Sequence, residues 1–216
     1  MTGLCYNNGM KTLLVNGSPD KDGNTATALA EVAKTLKAEG IETENFWIGT
    51  QPVRGCVACC TCRDKTPGRC VFADDAANAL AAALASADAF VVGSPVYYGQ
   101  PNGALLALLQ RAFFSNAACV AGKPGATVAV CRRGGATAAF QCLNMPFQML
   151  DCVLVGSQYW NIAYGCEPGE TAQDEEGLQT MRTLARNLAW LLKNLHRDGA
   201  ASRPVREPWQ RMNFIR

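Results

Sequence analysis

The chain has 216 residues, 49% of them hydrophobic, and a formal net charge of +2 from 20 basic and 18 acidic side chains. This length suits one well-buried domain, and the balanced charge, with no basic run among aromatic residues, argues against nucleic acid or a membrane as a partner. No apolar run reaches about 18 residues and no signal-peptide pattern opens the chain, so we expect a cytoplasmic protein. His196 is the only histidine, which leaves almost no basis for Ser-His-Asp or Cys-His catalysis.

The first recognisable unit is a strand, a loop and a helix. Residues 11–15 form an apolar run typical of a buried parallel strand, and apolar residues at helical spacing then continue to Gly40. The loop between them, residues 16–25, is rich in glycine and neutral hydrogen-bonding side chains. Because a helix N-terminus points free backbone N–H groups and the positive end of its dipole at one place, we expect an anion there.

This loop differs from the common nucleotide-binding loops. Asn24 stands where a Walker A motif has its lysine, and the GxGxxG pattern is absent. Neutral donors together with backbone amides suit a phosphate monoester, such as the 5′-phosphate of FMN. The alternative is an ordinary turn in which Asn24 is the helix N-cap.

The rest of the chain alternates between strand and helix patterns. Further strands are predicted at 41–48, 89–93, 127–131 and from 152 towards 160, and further helices at 76–87, 103–113, 137–149 and 172–196. Such alternation predicts an α/β fold with an open, doubly wound parallel sheet.

Three strand-to-helix loops carry the unusual residues and should converge on one crevice at the carboxyl ends of the strands. Residues 17–25 would hold a phosphate, residues 94–102 offer two tyrosines and backbone amides to a flat ring, and residues 132–137 contain glycines that allow close approach. A flat ring with a phosphate tail describes FMN, whose own chemistry requires no catalytic residue from the protein. The alternatives are tyrosine packing at a loop corner and a plain glycine turn.

A cysteine-rich segment follows the second predicted strand. Of eleven cysteines, Cys56, Cys59 and Cys62 have CxxCxxC spacing, and Cys70 follows shortly after. In a reducing cytosol, clustered thiols indicate metal or redox chemistry more often than disulfides. Cys60 is a further thiol inside the motif, so the set of ligands is not unique. An iron–sulfur cluster, a Cys₄ zinc site and a segment without metal all remain open.

These motifs together resemble one protein family. Residues 17–19 with 23–25, residues 93–99 and residues 133–136 look like the corresponding loops of the NADPH-dependent FMN reductase and iron–sulfur flavoprotein family of flavodoxin-like proteins. The resemblance covers about residues 11–195. It implies a flavodoxin-like, five-stranded parallel sheet of order 2-1-3-4-5 with a cysteine-rich insertion after strand 2. It also implies a homodimer or homotetramer whose subunit contacts help to complete the FMN site.

The resemblance also implies binding residues. For FMN they are Ser18, Pro19, Gly23, Asn24, Thr25, Pro95, Val96, Tyr97, Tyr98, Gly99, Arg133, Gly134, Gly135 and Ala136. For a [4Fe–4S] cluster they are Cys56, Cys59, Cys62 and Cys70. The family often has a basic residue where this chain has Asp20, and an inward-facing carboxylate there would repel a phosphate.

Three functions are compatible with these features. The first is an FMN oxidoreductase that passes electrons from NAD(P)H to a small acceptor such as a quinone, a flavin or a metal. The second is an iron–sulfur flavoprotein that exchanges electrons with a ferredoxin-like partner. The third is a non-redox module that binds a phosphate ligand and is stabilised by a structural zinc site.

The expected domain organisation is simple. Residues 1–196 form a single FMN-binding domain with residues 54–70 as the cysteine-rich insertion. Residues 197–216 form a basic arm with two aromatic anchors, Trp209 and Phe214. We expect this arm to lie over a neighbouring surface, in particular another subunit, and a disordered tail is the alternative.

Overall fold

The computed structural model describes residues 9–208, 210 and 212. Its strands are β1 (Lys11–Asn16), β2 (Glu42–Trp47), β3 (Ala89–Tyr97), β4 (Gln100–Pro101), β5 (Pro124–Cys131), β6 (Val153–Leu154) and β7 (Ile162–Tyr164). Its helices are α1 (Asn24–Ala38), α2 (Thr61–Asp64), α3 (Ala77–Ser86), α4 (Gly103–Val120), α5 (Ala136–Met149) and α6 (Glu175–Leu195), and a 3₁₀ turn spans Glu170–Gln173.

The sheet confirms the predicted fold. Its parallel strands lie in the order β2-β1-β3-β5-β6, the flavodoxin order when the strands are counted as the sequence predicted them. The short strand β4 pairs antiparallel with the end of β3, and β7 pairs parallel with the end of β5.

The predicted fifth strand is interrupted. Leu154 lies opposite Gly125 and Ile162 lies opposite Ala129, so eight positions of this edge segment face only four of β5. The extra residues loop out of the sheet at Gly156 and return at Asn161, whose carbonyl accepts a hydrogen bond from the Ala129 N–H. The strand prediction from 152 towards 160 was therefore wrong in its second half.

Helices cover both faces of the sheet. Successive residues of β1 enter different cores: Leu14 packs with α1 and α6, and Leu13 packs with α3, α4 and α5. Because both faces are buried, the strands read as continuous apolar runs in the sequence rather than as alternating patterns.

Helix α4 is unusually long and apolar. It is the one helix in the described part of the chain that is long and apolar enough, by those criteria alone, to cross a membrane. Leu105, Leu108 and Leu109 on its inner side are buried in the core, and the fully buried Arg111 interrupts its apolar surface. We interpret it as a core helix.

Helix ends follow their local sequence signals. The side chain of Asn102 accepts a hydrogen bond from the Ala104 N–H at 3.1 Å and caps α4. Asp174 caps α6 in the same way through the Gly177 N–H at 2.9 Å, so this helix begins at Glu175 rather than at the predicted residue 172.

The described part of the C-terminal arm contacts its own chain. Arg203 and Arg206 both bind the Asp151 carboxylate, and Arg206 also donates to the Leu150 carbonyl at 3.1 Å. The predicted aromatic anchors, Trp209 and Phe214, lie outside the described residues.

Candidate functional site

The larger cavity lies where the sequence predicted a ligand site, outside the carboxyl ends of β1, β3 and β5. Its volume is about 260 Å³. It is lined by Ser18, Asp20, Gly23, Asn24, Thr25, Pro95, Val96, Tyr97, Val130, Cys131, Arg132, Gly165, Cys166 and Pro168. Polar residues of the first loop thus face apolar and aromatic residues of the second across one crevice.

The loop after β1 is held close to β3. The Gly17 N–H donates to the Gly93 carbonyl at 2.8 Å, and a Cβ at Gly17 would lie only 2.7 Å from that oxygen. Glycine is therefore required at residue 17. The Ser18 hydroxyl accepts a hydrogen bond from the Asp20 N–H at 3.1 Å, which leaves its own O–H free to donate towards the cavity.

The N-terminus of α1 opens into this cavity. Its N-cap is Gly23, no side chain caps it, and its first turn contains no acidic residue. Thr25 is buried there and also lines the cavity. The first N–H groups of a helix have no intrahelical partner, so this helix end offers donors to an anion.

Asn24 does not offer its side chain to the cavity. Its Nδ2 donates to the Glu167 carbonyl at 2.9 Å, and its Oδ1 accepts from the Thr171 N–H at 3.0 Å. Gly165 packs against the same amide, because a Cβ there would lie 2.8 Å from Asn24 Cγ. Asn24 thus holds residues 165–171 beside the helix N-terminus, and its backbone N–H is what remains for an anion.

Asp20 places a carboxylate at the edge of this cradle. Its Oδ1 accepts a hydrogen bond from the Asp22 N–H at 3.1 Å, and its Oδ2 would lie 2.5 Å from a Cβ at Gly23. Burial, and secondly the charge of Asp20, raise the pKa of the Tyr97 phenol on the opposite wall. The negative charge therefore acts across the cavity.

The second and third loops meet at the rim. Gly135 has φ +86°, and a Cβ there would lie 2.8 Å from Gly99 Cα, so these two glycines allow the loops to touch. Tyr98 is fully exposed, and Arg133 and Gly134 are also at the surface. The predicted residues that lie beside the cavity without lining it are Pro19, Tyr98, Gly99, Arg133, Gly134, Gly135 and Ala136.

Several lining residues were not predicted. Val130 and Cys131 end β5, and Arg132 follows them as the first residue of the predicted loop 132–137, although it was not named as a binding residue. The neighbouring loop contributes Gly165, Cys166 and Pro168. The available signal was the run of glycine and proline from 165 to 169 after an apolar segment. It was obscured because β7, which positions this loop, has only three residues.

The cysteine-rich segment forms a second, smaller cavity of about 20 Å³ against α4. All four predicted thiols line it, together with Cys60. The other lining residues are Val57, Val71, Phe72, Arg111 and Phe114. Thiols in a lining that is apolar apart from Arg111 are ligands suited to a soft metal centre.

Local backbone geometry brings these thiols together. Ala58 and Cys60 have left-handed φ values of 53° and 57°, which bend the segment sharply before the single turn of α2. Cys62 on α2 is buried, and its pKa is raised first by burial and then by the thiolates of Cys70, Cys56 and Cys59. The four predicted ligands therefore lie within electrostatic range of one another.

The spacing of the thiols bears on the kind of metal centre. Among the described residues, no group of three or more His, Cys, Asp or Glu side chains is arranged around a single ion. A Cys₄ zinc site draws its sulfurs to about 2.3 Å from one atom, whereas a four-iron cluster is a larger body with its ligands outside. The outer wall of this cavity, in residues 52–60, has no regular secondary structure.

Helix α4 connects the two cavities. Its N-cap, Asn102, donates to the Gly17 carbonyl at 2.7 Å in the phosphate loop. Arg111, nine residues further along, lines the cysteine cavity. At 1.5 Å per residue these positions are about 14 Å apart along the helix axis.

The chain is similar to known proteins in sequence and in fold. The sequence profile of the family described as NADPH-dependent FMN reductase matches residues 10–166. An iron–sulfur flavoprotein of Methanocaldococcus jannaschii is 30% identical over 85% of this chain and 98% of its own length. An iron–sulfur flavoprotein of Methanosarcina thermophila is 29% identical over 88% of this chain and 98% of its own length.

Solved structures agree on the fold. RosB with bound 8-demethyl-8-formylriboflavin-5′-phosphate matches with a TM-score of 0.66 at 15% identity, over 96% of each chain. An NADH:FMN oxidoreductase in its apo form matches with a TM-score of 0.60 at 14% identity, over 88% of this chain and 93% of its own. The chain therefore belongs to the NADPH-dependent FMN reductase and iron–sulfur flavoprotein family of flavodoxin-like proteins.

Proposed function

We propose that this protein is an iron–sulfur flavoprotein that transfers electrons between a [4Fe–4S] cluster and FMN. The observation that carries this proposal is the convergence of Cys56, Cys59, Cys62 and Cys70 on one cavity. The same chain has a flavodoxin-type cavity at the carboxyl ends of its strands. The names of its archaeal relatives support the same assignment.

The larger cavity fits FMN in its chemistry. The uncapped N-terminus of α1 and the Ser18 hydroxyl would hold the phosphate, and Pro95, Val96 and Tyr97 would border the ring. Asp20 is the acidic residue in the lining of this cavity, and its negative charge would repel a phosphate. It is exposed to solvent, which screens this charge.

FMN, when bound, supplies hydride and single-electron transfer. The protein's own task is to orient the ring and limit the access of water to it. Tyr97, half-exposed on one wall, and Val130 and Cys131, buried on another, form the apolar lining for this purpose. Burial raises the pKa of the Cys131 thiol, so this group stays neutral beside the ring.

The smaller cavity fits a cluster through its donors. Four thiols provide the ligand set of a [4Fe–4S] centre, and Val57, Phe72 and Phe114 give the cavity an apolar surface beside them. Cys60 also lines the cavity, but it is not required as a ligand, because Cys56, Cys59, Cys62 and Cys70 already supply four thiols. The CxxCxxC spacing followed by Cys70, together with the names of the archaeal relatives, favours the cluster over a Cys₄ zinc site.

We further propose a protein electron donor of the ferredoxin class and a small-molecule acceptor. Cys56 and Cys59 are exposed, so the edge of a cluster held by them would lie at the surface where a donor protein docks. Self-association into a homodimer or homotetramer is part of the same proposal, since a neighbouring subunit would cover the open rim around Tyr98 and Arg133.

A second candidate is favoured by the family profile, which describes NADPH-dependent FMN reductases. In this function NAD(P)H would reduce the flavin directly, and a quinone, free flavin or metal would accept the electrons. The cysteine cavity would then be secondary to the reaction.

Anaerobic flavin reduction distinguishes the two candidates. Protein purified without oxygen is mixed either with NADPH or NADH, or with a chemically reduced ferredoxin, and flavin bleaching is followed at the same protein concentration. The proposal predicts rapid bleaching by the ferredoxin and slow bleaching by both nucleotides. Rapid bleaching by NADPH with none by ferredoxin would replace the proposal with the second candidate.

A further inference from the structure

Arg111 is a buried cation on the wall of the cysteine cavity. Its side chain is only 1% exposed, which is rare for arginine unless the guanidinium is fully paired. Its Nε donates to the Sγ of Cys70 at 3.3 Å. Its two terminal nitrogens donate to the carbonyls of Arg54 at 3.3 Å and Phe72 at 2.9 Å and to the carboxylate of Asp75.

These contacts join both ends of the cysteine-rich segment to α4. Arg54 lies just before the first cysteine, and Phe72 lies just after the last. The Arg111 guanidinium also lies over the Phe72 ring, with 5.7 Å to its centroid. The two carbonyls and the Asp75 carboxylate would be enough to hold the segment against α4. The additional hydrogen bond from Nε to the Cys70 sulfur therefore needs a separate explanation.

The ion pair with Asp75 is almost completely shielded from water. The Asp75 side chain is 3% exposed, and its other oxygen accepts a hydrogen bond from the Ala77 N–H at 3.0 Å. Charges without water around them act strongly on their neighbours. The arginine lies between the carboxylate and the Cys70 sulfur, so the sulfur experiences mainly the positive end of the pair.

We propose that Arg111 is a positioning residue that sets the reduction potential of the cluster through its hydrogen bond and charge at Cys70, with Asp75 as the opposing charge. This inference rests on the proposed function, because it requires a cluster on Cys70. Hydrogen bonds to cluster sulfurs and the local net charge are two of the factors that set such potentials. A donor and a positive charge at a ligand sulfur stabilise the reduced, more negative cluster and raise its potential.

The two members of the pair therefore have opposite predicted effects. Arg111→Gln removes the positive charge and should lower the potential, whereas Asp75→Asn leaves Arg111 uncompensated and should raise it. We expect each to change the ratio of reduced to oxidised cluster at a fixed solution potential about tenfold, or about 59 mV for a one-electron couple. The double variant restores a neutral pair and should fall between the two.

An exposed pair on the same segment provides the control. Arg63 binds Asp64 at 2.7 Å, but both side chains are more than half exposed. Arg63→Gln removes a positive charge and Asp64→Asn removes a negative charge, both close to Cys62. Here, unlike at Arg111 and Asp75, water screens the charges. Both variants should keep the ratio of reduced to oxidised cluster, at the same fixed solution potential, within about twofold of the wild-type ratio.

The experiment is an anaerobic redox titration of the full-length protein, with the reduced cluster followed by electron paramagnetic resonance and the flavin by absorbance in the same samples. The result expected is shifts of opposite sign for Arg111→Gln and Asp75→Asn with an unchanged flavin potential. A purely structural role would instead lower cluster content in both variants without shifting the potential of the cluster that remains.

The outcomes separate this inference from the proposed function. If wild-type protein contains no iron and sulfide, the proposed function fails and the inference fails with it. If the cluster is present but its potential in both variants equals the wild-type potential, the inference alone is overturned. Should Arg111→Gln assemble no cluster, Asp75→Asn decides, since it retains Arg111: a raised potential supports the inference, and an unchanged one overturns it.

Discussion

The Oδ1 of Asn24 accepts a hydrogen bond from the backbone N–H of Thr171 at 3.0 Å, although the two residues are 147 positions apart in the chain. The same amide donates to the Glu167 carbonyl, so both of its polar atoms are used by one loop. This loop supplies Gly165, Cys166 and Pro168 to the larger cavity. Asn24 therefore shapes the ligand site by holding its third wall.

Substitution of Asn24 should weaken FMN binding through this contact. Asn24→Asp replaces the Nδ2 donor with an oxygen that faces the Glu167 carbonyl, and it adds a negative charge beside the phosphate cradle. We expect the Kd for FMN to rise about tenfold, equivalent to about 1.4 kcal/mol. Flavin fluorescence titration of the apoprotein measures it.

Asn187→Asp is the matched control for that variant. Asn187 also donates from Nδ2 to a backbone carbonyl, that of Gly156 at 2.8 Å, but it does not line the cavity. Its Kd for FMN should equal that of the wild type. Equal affinities for Asn24→Asp and the wild type would show that neither the loop contact nor the added charge matters to the cradle.

Removal of the Asp20 charge should have the opposite effect. The carboxylate lines the cavity beside Gly23, where it repels a phosphate. Asp20→Asn should therefore tighten FMN binding by at most about fivefold, because interactions of exposed charges are worth roughly 0.2–1 kcal/mol. The gain should shrink as salt is added.

Asp22→Asn tests whether this gain is specific to residue 20. Asp22 is exposed on the same loop, and its carboxylate does not line the cavity. Calorimetric titration of both variants with FMN, at low and at high salt, compares their affinities for FMN. Tighter binding by both would indicate a long-range effect of net charge, and weaker binding by Asp20→Asn would show that the carboxylate helps to hold the cradle.

The ligand set can be tested with two adjacent cysteines. Cys59→Ser should remove most of the cluster iron while FMN stays bound, because Cys59 is one of the thiols grouped around Cys62. Cys60→Ser should retain the iron. Iron, sulfide and flavin are assayed on protein purified without oxygen. Loss of flavin together with iron in Cys59→Ser would mean that the segment supports the whole fold, and loss of iron only in Cys60→Ser would change the ligand set.

The C-terminal arm gives a prediction about pH. The Arg206 side chain, through its hydrogen bond, is the main reason why the pKa of Asp151 lies below its usual range. Since this pKa is lowered in the folded protein, the contact stabilises the docked arm above about pH 3.9, the ordinary value for aspartate, and is lost as the pH falls through the lowered pKa.

NMR titration of the Asp151 carboxyl carbon measures this directly. The wild-type midpoint should lie below about 3.9, and Arg206→Gln should raise it. Arg197→Gln removes a basic residue of the same arm that forms no ion pair in the described structure, and it should leave the midpoint unchanged. A wild-type midpoint at the ordinary value would mean that the arm is undocked.

The sequence predicted well the features that depend on local chemistry. Asn102 caps the N-terminus of α4 and Gly40 follows the end of α1, because capping preferences act within a few residues. Cys56 to Cys70 are close in sequence, so their convergence was also visible from spacing.

Long-range pairings were the part that sequence reasoning missed. The side chain of Asn24 looked free for a ligand because its partners, Glu167 and Thr171, lie at the far end of the chain. The sequence pattern did not single out Arg111, and only the packed structure shows it buried against Cys70 and Asp75. Neither partner is signalled by spacing or composition.

An iron–sulfur flavoprotein carries both a flavin and an iron–sulfur cluster on one chain. The most direct measurement is the visible spectrum of protein purified without oxygen, with flavin, iron and acid-labile sulfide assayed on the same sample. We expect flavin bands over a broad iron–sulfur absorption, with about four irons and four sulfides per chain. Flavin bands without iron and sulfide, or a colourless protein that contains zinc, would contradict the proposed function.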